Sequence, residues 1–218
     1  LKCPAYNSTG ELVYELIRHM SLDLTEEVST PIYAAICVDS GNFSYERCVG
    51  RTFRTAADLV EHGANPYQIH LNLNWRRTLG EVKLEGEAVR RLKLDETPAI
   101  AYTWIDLALM AQNRLDPMEI PPLVNIPLSV EGVEIALLFV EMAPGRIKVS
   151  ARSKGRIKVC DLARQFNGGG HPLAAGFNLN ASLDQAVDRV LAAARALLFA
   201  AETGTAGPGE AGQVPANG

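Results

Sequence analysis

The sequence predicts an α/β protein of two lobes, the first mainly helical and the second built on a mixed sheet. Three observations predict it. Apolar residues recur at helical spacing through the first third of the chain, a run of mixed charge follows from Trp75 to Leu94, and beyond Thr97-Pro98 the pattern turns β-like with a hairpin signal. The divisions read as a helical lobe over 1–75, a connecting helix over 76–96, an α/β lobe over 97–200 and a disordered tail over 201–218.

Taken in order, Ser8 and Glu11 make an S-x-x-E capping box ahead of Leu12, Val13, Leu16, Ile17 and Met20, an amphipathic helix that needs a packing partner. Thr25 or Thr30 caps a second helix, with Pro31 suited to its first turn in the latter case. Tyr33–Val38 is an apolar run that ends in Asp39-Ser40-Gly41-Asn42-Phe43, which by its residues is a turn. Arg54–His62 reads as a helix with Gly63 as its stop, and Asn65-Pro66 restarts the chain. Trp75–Leu94 carries charges of both signs around Leu79, Val82 and Leu92, the pattern of a solvated connecting helix.

Ala99–Ile105 is then a strand and Leu107–Gln112 a short helix, with loops at Asp116-Pro117 and Pro121-Pro122. Val133–Met142 and Arg146–Arg152 flank Ala143-Pro144-Gly145 as a hairpin. A short helix follows, with Val159, Leu162, Ala163 and Phe166 on one face; Phe177–Leu179 adds an edge strand and Ser182 caps a last helix through Leu198. From Glu202 onward Gly, Pro, Ala and Thr leave little to bury.

Composition narrows the class. With 47% hydrophobic and 21% charged residues the chain is of ordinary globular make-up, and its net charge of −4 provides no general basic field. Any nucleic-acid ligand is therefore met by a local patch and is short, which argues against duplex DNA. The four cysteines form no C-x-x-C pair, so neither a zinc ribbon nor a disulfide framework is indicated and a reducing cytoplasm is the expected location. No apolar run is long enough for a membrane span.

The stretch with most chemistry runs from Lys148 to Phe177. Arg152-Ser153 ends a strand, Arg156 and Lys158 follow, and after the short helix Gly168, Gly169 and Gly170 deliver His171, then Pro-Leu-Ala-Ala-Gly. Glycines let backbone N–H groups approach a ligand closely, and cations on both sides of the loop suit a phosphate.

This segment resembles the C-terminal substrate-binding domain of the DHH phosphoesterases, marked by an R-S pair followed by G-G-G-H-x-x-A-A-G. Within that family it is most similar to the nanoRNase and adenosine 3',5'-bisphosphate phosphatase branch. D-S-G-N-F at 39–43 resembles that family's D-T-G-x-F, with Ser40 for threonine, and N-S-T-G-E-L-V-Y-E-L and R-T-F-R-T-A-A-D-L-V-E-H-G-A fit the same branch, so the likeness spans residues 5–199. It implies that Asp39 ligates a catalytic metal, that Arg152 and Ser153 grip a phosphate, and that the Gly168–His171 loop closes over the terminal nucleotide, His171 orienting the scissile end. It also implies two manganese ions, hydrolysis of short RNA oligonucleotides or nucleotide phosphates, and residues 1–75 as the remainder of a catalytic lobe.

A two-metal site needs several carboxylates and imidazoles around ions about 3.5–4 Å apart. The resemblance places the others in D-x-D and D-H-H strings, neither of which occurs here, and His19, His62 and His70 are scattered. The expectation is the C-terminal part of a longer enzyme, inactive alone, with Ile36, Cys37 and Val38 left against solvent. The alternatives are a non-catalytic nucleotide-binding module and a cyclic-dinucleotide phosphodiesterase; the glycine-rich domain of alanyl-tRNA synthetases matches R-S and D-S-G-N-F less well.

Overall fold

The computed structural model describes residues 6, 8–45 and 48–203. The chain divides between Arg77 and Thr78 into two compact units. The tail expected to be disordered lies, from residue 204 on, outside the described residues.

The first unit is helical throughout: α1 (Thr9–His19), α2 (Glu26–Asp39), α3 (Gly50–Glu61) and α4 (Pro66–Asn74). Ser8 caps α1 by accepting from the Glu11 N–H at 3.1 Å, but the Glu11 carboxylate does not close the box. It is buried and lies 3.6 Å from the Arg51 guanidinium of α3, because a buried carboxylate is tolerable beside an opposite charge. Thr25, not Thr30, precedes α2, so Pro31 sits inside the helix. Leu24, Ile32, Ile36, Leu59, Ala64 and Ile69 form the core of this unit. The expectation that Ile36 and Cys37 face solvent is corrected: both are buried by the neighbouring helices, and of the three only Val38, at 61% exposure, is open. Along α1 the apolar stripe is partly unused, with Val13, Leu16 and Met20 exposed.

The second unit opens with α5 (Leu79–Arg90), capped by a complete Thr78–Glu81 box. The sequence predicted a solvated connector here. Instead Leu84 and Ala88 are fully buried in this unit's core, their four-residue spacing providing a narrow apolar seam beneath a charged exterior. Then follow β1 (Lys93–Leu94), β2 (Ile100–Ile105), α6 (Leu107–Asn113), a 3₁₀ turn (Pro117–Glu119), α7 (Asn125–Leu128), β3 (Ile135–Ala143), β4 (Arg146–Ser153), α8 (Val159–Gln165), β5 (Gly169–His171), β6 (Ala174–Asn180) and α9 (Leu183–Glu202).

The six strands form one mixed sheet in the order β1-β2-β3-β4-β6-β5. Only the β2–β3 pairing is parallel, as their long helical crossover allows; the β3–β4 hairpin turns through Gly145 at φ 71°. Strand alternation sorts the core. Ile135, Leu137, Phe139, Ile147, Val149, Ala151, Ala175, Phe177 and Leu179 point to the side covered by α8 and α9. Ala136, Leu138 and Val140 point to the other, where α5, α6 and α7 cover β2 and β3. The strand expected at Phe177–Leu179 begins earlier, at Ala174; β5 pairs outside Ala174–Gly176, and Phe177–Leu179 pair with β4 alone among the described residues.

Candidate functional site

The site forms where that second face runs out of helices. Over β4, β6 and β5 it presents Lys148, Ser150, Arg152, Ala174, Gly176 and Asn178, all half-buried or exposed. In register, Arg152 lies opposite Ala174 and Ala174 opposite His171; one step along, Ser150 lies opposite Gly176 and Gly176 opposite Gly169. Directly paired residues of an antiparallel ladder share a face, so Arg152 and His171 flank a floor of small residues. Two strand spacings separate their backbones, about 10 Å.

Arg152 is half-buried, its Nη1 donates to the Ala151 carbonyl at 3.2 Å, and among the described residues no carboxylate pairs with it. A partly desolvated guanidinium without a counter-charge is suited to a bidentate anion. Of the flanking cations predicted from sequence, Arg156 is engaged elsewhere, pairing with Glu202 at 2.9 Å.

Ser153 is not part of this arrangement. It is the next residue along β4 and so points through the sheet to the α8 side, where it is buried and its hydroxyl donates to the Ile157 carbonyl at 2.5 Å. Its N–H donates to the Leu173 carbonyl at 3.1 Å, while the Val159 N–H takes the Pro172 carbonyl at 2.8 Å. The pair R-S thus splits into one residue that faces the open surface and one that fastens the Pro172-Leu173 turn following His171.

The glycine run is an edge strand rather than a free loop. Asn167, left-handed at φ 58°, ends α8, with Asn167 and Gly168 N–H groups donating back to the Arg164 and Ala163 carbonyls at 3.2 and 2.8 Å. A side chain on Gly168 would strike the Gly176 carbonyl and Phe177, and Gly170, at φ 145°, would strike Ala174 and Ala175. Gly169 has nothing within 4 Å of where its Cβ would be. Two of the glycines are therefore demanded by packing on β6, and the middle one keeps the floor open. Phe166 stacked on Phe177 at 4.7 Å seats α8 beneath this edge.

Asp39 is the last residue of α2, exposed, at a helix end with no basic residue in its final turn. Gly41, Asn42 and Phe43 follow at φ 56°, 55° and 63°, a left-handed turn costly for phenylalanine, braced by the Phe43 N–H on Ser40 Oγ at 2.9 Å and by Phe43 stacked on Phe53 at 5.4 Å. The negative end of the helix dipole disfavours a carboxylate there and favours a cation beside it. Yet no group of three His, Cys, Asp or Glu lies close enough to hold an ion among the described residues, so those present do not by themselves compose a metal centre. His62 is taken up with Asp58, its Nδ1 lying 2.7 Å from the backbone carbonyl, and His70 Nδ1 with Asn74 at 3.1 Å. Asp39 belongs to the first unit and the Arg152 face to the second.

Sequence reasoning missed Lys148, Ser150 and Asn178. The available signal is the alternation itself, since K-V-S-A-R sets Lys148, Ser150 and Arg152 on the face opposite Val149 and Ala151.

A half-covered mixed sheet whose open face joins a lone arginine, an exposed imidazole and a glycine edge defines an α/β domain suited to a phosphorylated ligand. Comparison with known proteins makes this specific: residues 98–199 match the DHHA1 domain. The bifunctional oligoribonuclease and PAP phosphatase NrnA of Bacillus subtilis is 31% identical over 189 residues, covering 85% of this chain and 58% of that protein. Its namesake from Thermus thermophilus is 28% identical, covering 88% and 57%. An exopolyphosphatase-related protein from Bacteroides fragilis has a crystal structure that matches with a TM-score of 0.83 at 26% identity, over 93% of this chain and 59% of that one. Residues 98–199 thus form a DHHA1 domain, the chain is similar along most of its length to these phosphoesterase relatives, and it spans a little over half of theirs.

Proposed function

We propose that this chain is the nucleotide-binding part of a metal-dependent phosphoesterase that degrades short oligoribonucleotides and dephosphorylates adenosine 3',5'-bisphosphate. In this reading a terminal phosphate lies against Arg152, the adjoining nucleoside rests on Ala174, Gly176 and Gly169, and His171 orients the scissile end. The observation that carries it is the half-buried Arg152 guanidinium, which no carboxylate among the described residues neutralises, in one row with His171. Asp39 acts as one ligand of a manganese site in the whole protein, located at the cation-favouring end of α2.

The test is a binding series with 5'-phosphorylated RNA of two to five nucleotides, a single-stranded 20-mer and a 20-base-pair DNA duplex. Saturable binding of the short RNAs with no measurable binding of the duplex is the expected result. Equal affinity for the duplex, or none for the short RNAs, would show that the face is not a terminal-nucleotide site. No helix among the described residues is long and apolar enough to cross a membrane.

A further inference from the structure

The opposite edge of the same sheet carries a second concentration of cationic and aromatic chemistry. A cavity of about 380 Å3 is lined by Arg90, Arg91, Leu92, Lys93, Trp104 and Asp106. This lies within the roughly 300–1,000 Å3 typical of small-molecule pockets and is far more than a bare inorganic anion fills. Within it the charges are not equivalent. Arg90 donates to Glu87 at 2.8 Å and Arg91 to Asp106 at 2.6 Å, so both guanidinium groups are compensated and fixed. Lys93 is exposed, its Nζ lies 5.1 Å from the Trp104 ring centroid, and no carboxylate pairs with it among the described residues. Arg91 approaches the same ring at 5.7 Å.

An indole wall beside one uncompensated ammonium matches a ligand with a flat apolar face and a compact negative charge. Trp104 faces the α8–α9 side, together with Tyr102, whereas Arg152 faces the other side two strands away in the order β2-β3-β4. One mononucleotide cannot occupy both places. We propose that the Trp104–Lys93 cavity is a second nucleotide site, taking a nucleoside monophosphate with its base against Trp104 and its phosphate on Lys93. This site does not depend on the Arg152 reading.

Tryptophan fluorescence tests it directly, using the whole chain with Trp75→Phe so that Trp104 is the single reporter. Titration with 5'-AMP is expected to give a saturable change that survives Arg152→Ala and weakens about tenfold, or roughly 1.4 kcal/mol, with Lys93→Met. Adenosine alone and inorganic phosphate alone are expected to bind at least tenfold less tightly than 5'-AMP. Because Lys93 is exposed, its variant should melt with the parent, and melting is recorded on each protein. The proposal is overturned by the absence of a saturable change, by an unchanged affinity in Lys93→Met, by loss of the change with Arg152→Ala, or by adenosine or phosphate alone matching 5'-AMP.

Discussion

At the scale of single residues, neighbours in the sequence acquire opposite roles from the pleat of one strand. Arg152 and Ser153 are read together as a phosphate grip in the sequence, yet β4 turns one to the open face and the other into the buried turn before α8. The glycine run divides in the same way. Gly168→Ala and Gly170→Ala should each destabilise by about 1–3 kcal/mol, since both force atoms into β6 and Gly170 also stands at positive φ. Gly169→Ala should stay within about 0.5 kcal/mol of the parent and instead weaken nucleotide binding, because its Cβ would enter only the ligand's space. Chemical unfolding and nucleotide titration on the three variants separate these outcomes. At Asp39 the helix dipole makes the sign unusual: Asp39→Asn should raise stability by about 0.3–1 kcal/mol while removing the carboxylate proposed to hold a metal, and a loss of stability in urea unfolding would assign the residue a structural role instead.

At the scale of elements, the helix-to-hairpin order and the apolar face of α8 were legible in the sequence because local spacing determines them: Val159, Leu162 and Ala163 are all fully buried. What spacing does not encode is who covers whom. The burial of α5 depends on two residues, Leu84 and Ala88, too few to outweigh its many charges in a window of sequence. The sequence alone points to loop amides rather than a sheet face, because the β4–β6 pairing that brings the β5–β6 hairpin beside Arg152 is a non-local register. Another such long-range tie joins α9 to the β1–β2 turn, where Arg195 grips Asp95 through two hydrogen bonds of 2.8 Å. That grip holds the Asp95 carboxyl below its ordinary value of 3.8. A depressed folded pKa means stability that is present above the ordinary value and lost as pH falls through the lower one. Arg195→Met should therefore cost about 1–2 kcal/mol near neutral pH, the lower part of the range for charged hydrogen bonds because Arg195 is 38% exposed and screened. The gap to the parent should close in acid, as pH falls from the ordinary value of 3.8 through the lower folded-state one; unfolding curves at neutral and acid pH measure it, and a pH-independent gap would assign the loss to packing.

For the whole molecule, with ligand recognition proposed for the Arg152 face, no manganese-dependent turnover of a dinucleotide is expected from this chain alone, since Asp39 has no neighbouring group of metal-binding side chains among the described residues. Turnover that Asp39→Ala abolishes would show a metal centre assembled from residues in this chain. The claim on which the rest depends is that Arg152 is there for a phosphate and not for the fold. Affinity for a 5'-phosphorylated diribonucleotide and the melting temperature, measured together on the parent, Arg152→Ala and Arg152→Lys, test it most directly. Alanine is expected to weaken binding by about 1.5–3 kcal/mol with melting nearly unchanged, and lysine to recover only part, because an ammonium cannot reproduce a two-pronged guanidinium contact. A lowered melting temperature with undiminished affinity per folded molecule would contradict it.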